Sequence, residues 1–317
     1  MILHNNNTKD FAELIQLTAV HFGISPDFVE KDYWITTVLK KLAFSSFTGS
    51  IVFKGGTSLS KGYHLINRFS DDIDIAMINE YLTGNALKTK IRSVEKEITK
   101  DLTEIYNPDI TSKGSMFRKS VFQYPVATSN RLNSGTQKRI IIEINSFANP
   151  YPYAKQTITS FISEFLISKD RKEAIEEYAL EPFSINVLDK SQTMLEKLVS
   201  LVRFSFDENI DKALSSKIRH FYDLYLLAKD EQSKAYLRSD NFKKDFVELY
   251  AHNQQIFDTP LGWQGKLVEQ SPLIIDFPAL WNKIKDTYRS ELSQLAFFEI
   301  PDEKDVAVSF MEVIKSI

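Results

Sequence analysis

Residues 51–78 read IVFKGGTSLSKGYHLINRFSDDIDIAMI, and their pattern decides the fold. Ile51, Val52 and Phe53 are β-prone and bounded by glycine, which predicts a short strand entering a sheet. Gly55 and Gly56 then turn the chain. Lacking a Cβ, they let backbone approach a ligand closely, and Thr57 and Ser58 are suited to open a helix whose unpaired N–H groups face an anionic phosphate. Leu59, Tyr63 and Ile66 fall at helical spacing and predict one buried face. In the strand that follows, alternation places Ile73, Ile75 and Met77 on one side and Asp72, Asp74 and Ala76 on the other.

Two carboxylates on one sheet face repel each other. Either Asp71, Asp72 and Asp74 form a solvated strand edge, or a cation compensates them. Mg²⁺ takes oxygen ligands and uses one or two carboxylates plus substrate phosphates. The Gly-Gly turn one helix upstream favours the cation.

The segment KGGTSLSKGYHLINRFSDDIDI resembles the active-site segment of the AbiEii/AbiGii toxin family, whose members have a nucleotidyltransferase fold related to the DNA polymerase β superfamily. VEKDYW at 29–34, IIIEIN at 140–145, MLEKL at 194–198 and RHFYDLYLL at 219–227 are similar to further family segments and follow in family order. The interval from Gly-Gly to Asp-x-Asp is longer than in many compact nucleotidyltransferases and suits the toxin family. The resemblance implies an α+β fold, with a mixed-sheet catalytic lobe over residues 1–150 and a mostly helical C-terminal lobe over 151–317. It implies Mg²⁺-dependent nucleotidyl transfer, with Mn²⁺ as the alternative ion and a nucleoside triphosphate as substrate. Asp72, Asp74 and Glu143 would hold the metal. Gly55, Gly56, Thr57 and Ser58 would cradle the triphosphate, and Lys197, oriented by Asp223, would face the leaving pyrophosphate. It further implies the toxin of a toxin–antitoxin or abortive-infection system, with a separately encoded antitoxin as partner and tRNA as the leading acceptor. Transfer to a protein hydroxyl, or a catalytically silent nucleotide-binding module, are the alternatives.

Composition bounds these readings. The 317 residues suffice for two domains, or for one with an appended lobe. There is no cysteine, which excludes a disulfide framework, a thiol nucleophile and a cysteine zinc site. Five histidines without ligand spacing argue against a zinc hydrolase. With a net charge of −3 there is no whole-protein basic field, so RNA contacts must come from local patches. The N-terminus has no basic and apolar leader pattern, and no apolar run reaches the roughly 18 to 20 residues that span a bilayer, so a cytoplasmic protein without membrane contact is expected.

Elsewhere, residues 8–22 predict an amphipathic helix, and Ser25-Pro26 predicts the cap of a second helix running to about Leu42. In that helix, Glu30, Lys31 and Asp32 read as a solvent-facing triplet, or, by the resemblance, Lys31 as a substrate-side group. Residues 81–105 predict a packing helix with a Leu87, Ile91, Val94, Ile98, Leu102 stripe. Strands are expected over Phe117–Tyr124 and Arg139–Ser146, with turns at Gly114, Asn130 and 133–135. Glu143 is costly in so apolar a strand unless paired, with Arg139 as one candidate partner, or bound to metal. NPYPYAK at 149–155 reads as a connection between lobes, and FSINVL at 183–188 as a strand returning to the sheet. From about 190 the chain reads as helical, with loops near 207–212, 230–242 and 256–275. Lys197 reads as an edge residue or a phosphate-side group, Asp223 as the i,i+4 partner of Arg219 or a site acid, and His220 as a helix-positioning residue. Trp263, Phe277, Leu280, Trp281 and Tyr288 read as core, with any exposed aromatic available for base stacking. Basic residues at 212, 217, 219, 229, 234 and 238 read equally as an RNA cradle or as solvated helix faces.

Overall fold

A computed structural model describes residues 3–6, 8–70, 72–78, 81–127 and 138–317. Asp71 and the turn signals at Asn130 and 133–135 lie outside the described residues. The chain forms two compact units, Met1–Tyr63 with Phe69–Leu188, and His64–Arg68 with Asp189–Ile317.

The first unit contains α1 (Leu3–Asn6), α2 (Thr8–Phe22), α3 (Pro26–Phe44), β1 (Ile51–Lys54), α4 (Gly55–Lys61), β2 (Asp72–Met77), α5 (Gly84–Ile98), β3 (Thr103–Ile105), β4 (Ser112–Lys113), β5 (Phe117–Gln123), β6 (Arg139–Asn145), β7 (Tyr153–Ile158), α6 (Phe161–Ser168), α7 (Lys172–Glu177) and β8 (Phe183–Leu188). Its strands make one mixed sheet in the order β3-β5-β6-β2-β1-β8-β7, with β4 paired to β5. β2 runs parallel to β6 and antiparallel to β1, while β1 runs parallel to β8. The expected α+β architecture with a mixed sheet is therefore what forms.

The local chemistry explains these elements. Ser25 caps α3, its side chain accepting from the Asp27 N–H, and Pro26 at the first helical position presets the backbone. In β2 and β6 the isoleucines Ile73, Ile75, Ile140, Ile142 and Ile144 are buried on one sheet face, which gives the β-branched residues their packing surface. Direct cross-strand partners share a face, so Arg118, Ser120 and Phe122 of β5 join these isoleucines while Lys119 joins Glu143. Helix α5 packs on the isoleucine face, burying Leu87, Ile91, Val94 and Ile98, and its Glu95 pairs with Arg118.

Several expectations need correction. Helix α4 ends at Lys61, so Tyr63 and Ile66 lie beyond it, and the helix begins at Gly55 and not at Thr57. Leu102 falls in the turn after α5, and the chain goes on into β3. The lobe boundary expected near residue 150 falls instead between Leu188 and Asp189, because β7 and β8 pair along their whole length and extend the sheet. β7 carries little apolar alternation, since all but its last residues face solvent at the sheet edge.

The second unit is helical: α8 (Lys190–Phe204), α9 (Ile210–Ser215), α10 (Ile218–Lys229), α11 (Glu231–Leu237), α12 (Asp240–Ile256), α13 (Pro272–Ile275), α14 (Phe277–Leu295) and α15 (Glu303–Ile314). Two of these, α11 and α13, lie in stretches that the sequence suggests as loops, and α9 begins in a third. Phe221, Phe277, Trp281 and Phe310 form the centre of its core, with Phe277 and Phe310 ring centroids 4.6 Å apart. Residues 64–68 are tied to this unit by the Phe297 N–H donating to the Asn67 carbonyl and by a bridge between Arg68 and Ala296.

Candidate active site

The register of four strands builds one row of charged side chains across the centre of the sheet. Asp74 lies opposite Lys54 on one side and Glu143 on the other, and Glu143 in turn lies opposite Lys119. Asp72, two residues before Asp74, lies on the same face. The Lys119 ammonium stands 3.2 Å from Glu143, which therefore pairs with Lys119 and not with Arg139. Three carboxylates are thus bracketed by two cations.

Electrostatics reflects this crowding. Although part of the Asp74 side chain meets solvent, burial pushes its carboxyl up to about 8, with Glu143 and Asp72 adding to the rise and Lys54 and Lys119 opposing it. Burial alone would lower Lys119, but Glu143, Asp72 and Asp74 outweigh it and raise it. The row carries more negative charge than its lysines neutralise.

Gly55 sits against this row with φ +80°, and a Cβ there would run into the Asp74 carboxylate. The space beside Asp74 therefore exists only because residue 55 has no side chain. Among the described residues, no three His, Asp or Glu side chains converge as a ready-made cage for a metal. The donor set and the cradle at Gly55 fit a hard divalent cation that takes one or two carboxylates and draws its remaining oxygens from substrate phosphates. Gly55→Ala is expected to lower turnover about 100-fold, the cost of a misplaced reacting group. Nucleotide-transfer rates, with circular dichroism to verify folding, check this.

Thr57 and Ser58 are buried, and their hydroxyls are already used as donors. Thr57 donates to the Asp72 carbonyl and Ser58 to the Gly55 carbonyl at 2.8 Å. They hold α4 and β2 in place, and neither hydroxyl hydrogen is left over for a phosphate.

Glu30, Lys31 and Asp32 are buried, contrary to their reading as a solvent-facing triplet. Glu30 accepts from the Ala127 N–H and pairs with Lys138 at 3.1 Å. Asp32 pairs with Lys61 of α4 at 2.6 Å and accepts from the Phe161 N–H. Burial raises the Asp32 carboxyl despite Lys61. Lys31 lies 5.3 Å from the centre of the Phe69 ring. Of the three, Asp32 ties α3 to α4, while Glu30 ties it to Ala127 and Lys138.

In the second unit, Asp223 of α10 is fully buried between two cations. Arg68 binds it with both arms of its guanidinium, Nε to Oδ1 and Nη2 to Oδ2, each at 2.7 Å. Lys197 of α8 reaches the same Oδ2 at 2.7 Å. Burial alone would raise the Asp223 carboxyl, but Arg68 and Lys197 outweigh it and hold the group well below the usual carboxylate range. Arg219, the i,i+4 candidate partner, pairs with Glu291 instead. His220 is kept neutral, lowered by burial and then by Lys197 and Lys217. Trp263, Phe277, Leu280, Trp281 and Tyr288 are all buried, so none of them offers a face for a base.

Sequence reasoning missed Lys54, Lys119 and Arg68. The first two are legible only once the strand register is known. Arg68 carried a weak signal, as the single arginine in the apolar-flanked stretch INRFS just before the aspartates.

A model of the family described as nucleotidyl transferase AbiEii toxin, type IV TA system, matches residues 37–308. Among solved structures, MenT4, a nucleotidyltransferase toxin from Mycobacterium tuberculosis H37Rv, is similar over 95% of this chain and 97% of its own, at 15% identity and a TM-score of 0.40. No curated protein sequence matches. The family match covers most of the chain and includes every strand of the sheet, so this protein belongs to the AbiEii family and is a nucleotidyltransferase toxin of a type IV toxin–antitoxin system.

Proposed function

We propose that the protein transfers a nucleotide from a nucleoside triphosphate to a hydroxyl of RNA, with tRNA the foremost acceptor, and that Mg²⁺ is its metal. The observation that carries the chemistry is the row of Asp72, Asp74 and Glu143 between Lys54 and Lys119, with Gly55 open beside it. The family brings with it a triphosphate substrate, a divalent cation and an antitoxin partner. Among the described residues, no helix is long and apolar enough to cross a membrane. The cytoplasm, where triphosphates and tRNA meet, is the proposed site of action.

In the transfer, the acceptor oxygen forms a bond to the α-phosphorus. The bond from that phosphorus to the bridging oxygen breaks, and pyrophosphate leaves with the electron pair. Asp72 and Asp74 would hold the cation, with Glu143 completing the site on the acceptor side, and the bound ion would neutralise phosphate charge and favour the ionised acceptor hydroxyl. Backbone at Gly55 and Gly56 receives the triphosphate, and Glu143, on the acceptor side, takes the hydroxyl proton. Lys119 keeps Glu143 oriented until then. Lys197, held by Asp223, offsets charge on the leaving pyrophosphate.

Lys197→Ala is accordingly expected to lower turnover about 100-fold, as removal of one charge-stabilising donor does elsewhere. Its melting temperature should fall less than that of Asp223→Ala, since Arg68 still neutralises Asp223. The opposite ordering would make Lys197 structural.

The acceptor is tested by supplying each α-labelled triphosphate in turn with total tRNA and total cell protein as separate acceptors, in Mg²⁺, in Mn²⁺ and with chelator. Label on tRNA, lost with chelator, is the expected result. Label on protein alone would replace RNA by a protein hydroxyl as acceptor.

A further inference from the structure

Helix α5 turns a basic stripe outward. Lys88, Arg92 and Lys96 are spaced by four residues, are all exposed, and have no ion-pair partner among the described residues. They line one side of a cleft of about 450 Å³ whose other walls come from β3, β4 and β5. Within that cleft Arg118 is matched by Glu95 and Lys113 by Glu104, so the three α5 cations are the unmatched charge.

Several features single this surface out. The chain as a whole carries −3, so a concentration of unpaired cations departs from its average. Four-residue steps on a helix place successive cations about 6 Å apart along the axis, comparable with neighbouring phosphates of a nucleic-acid strand. The opposite flank of α5 is fixed to the sheet by Leu87, Ile91, Val94 and Ile98, so the stripe is presented on a rigid support. The cleft lies on the isoleucine face, opposite the carboxylate row, at the β3–β4 side of the sheet. A ligand bound there cannot be the triphosphate held at Gly55. A long polyanion that passes round this edge of the sheet can engage both faces.

We propose that the Lys88, Arg92, Lys96 face of α5 is a docking surface for the phosphate backbone of the RNA acceptor, away from the transfer site. This rests on the RNA reading above and locates the acceptor's body on the first unit and not on the basic residues of the second. It assigns these three residues to binding and not to chemistry.

The test measures direct binding of total tRNA by fluorescence anisotropy, in an Asp72→Ala background so that transfer plays no part. The triple variant Lys88→Glu, Arg92→Glu, Lys96→Glu is compared with a control reversal of three exposed lysines elsewhere, Lys243, Lys244 and Lys304. The α5 variant should bind at least about tenfold more weakly, with the slope of log affinity against log salt reduced by about 2 to 3, as expected for three lost phosphate contacts. The control should retain most of the affinity. With Asp72 restored, the α5 variant should raise KM for RNA while kcat at saturating RNA and triphosphate binding stay unchanged. Equal binding by the α5 variant and its parent, or equal losses in the α5 and control variants, would overturn the docking surface. Transfer to protein in the acceptor experiment would overturn the RNA reading separately, because the binding comparison needs no transfer.

Discussion

Asp72→Asn and Asp74→Asn are each expected to lose nucleotide transfer by about 1,000-fold or more, because a lost cation contact removes several kcal/mol of transition-state stabilisation and each ~1.4 kcal/mol is tenfold in rate. The structure adds a second half to this expectation. Asp74 is crowded by Asp72 and Glu143 on a sheet face where Lys54 and Lys119 do not fully balance them. Asparagine at 74 removes the cost that burial and these neighbours impose on the carboxyl. The cation-free Asp74→Asn protein should melt no lower than its parent, and should gain ~2 °C for each kcal/mol relieved. Added Mg²⁺ should raise the melting temperature of the parent more than that of the variant. Thermal melts with chelator and with Mg²⁺, beside transfer rates, check both halves. A variant that loses activity only because it unfolds would show the reverse melting order.

Asp223→Ala is expected to destabilise the protein by ~3–5 kcal/mol, the usual cost of leaving buried charge unpaired. Arg68 and Lys197 would be left facing each other, and both are buried. Replacing all three together, as Arg68→Met, Lys197→Met and Asp223→Leu, should recover most of the stability, since well-packed apolar groups often equal a buried ion network. Activity should not return, because Lys197 is gone. Denaturant melts separate these outcomes. The network also has a pH signature. The folded Asp223 carboxyl lies below its unfolded value, so its contribution is fully present above about pH 4. It is lost as pH falls through the depressed folded value, where protons bind the unfolded chain first. The gap in stability between parent and Asp223→Ala should therefore narrow only in acid.

Much of the site's first unit was legible from local pattern. The alternation of DIDIAM puts two aspartates on one face whatever the tertiary structure, and Gly-Gly before them needs a backbone close to something. Glu143 stood out because an acid in so apolar a strand as IIIEIN must be paired or bound, though local sequence offered Arg139 as its partner where the register supplies Lys119. Cross-strand and long-range facts were hidden. Lys119 sits in FRKSVFQ, an ordinary amphipathic strand until the β5–β6 register sets it against Glu143. Arg68 and Asp223 are 155 positions apart, and local spacing pointed to Arg219 because a single helix displays only near pairings such as i,i+4. The charged run Glu30-Lys31-Asp32 misled for a similar reason. Charge predicts solvent unless partners are known, and here Lys61 and Lys138 come from elements 29 and 108 residues away. The edge strand β7 escaped notice because one side of it faces water, so its sequence need not be apolar.

The most direct test of the account supplies the purified protein and tRNA with the same triphosphate labelled at either the α or the γ phosphate, with Asp72→Asn as control. Nucleotidyl transfer predicts that the α label becomes covalently attached to tRNA, that the γ label is released as pyrophosphate, and that the control does neither. Attachment of the γ label, or α labelling undiminished in Asp72→Asn, would contradict it.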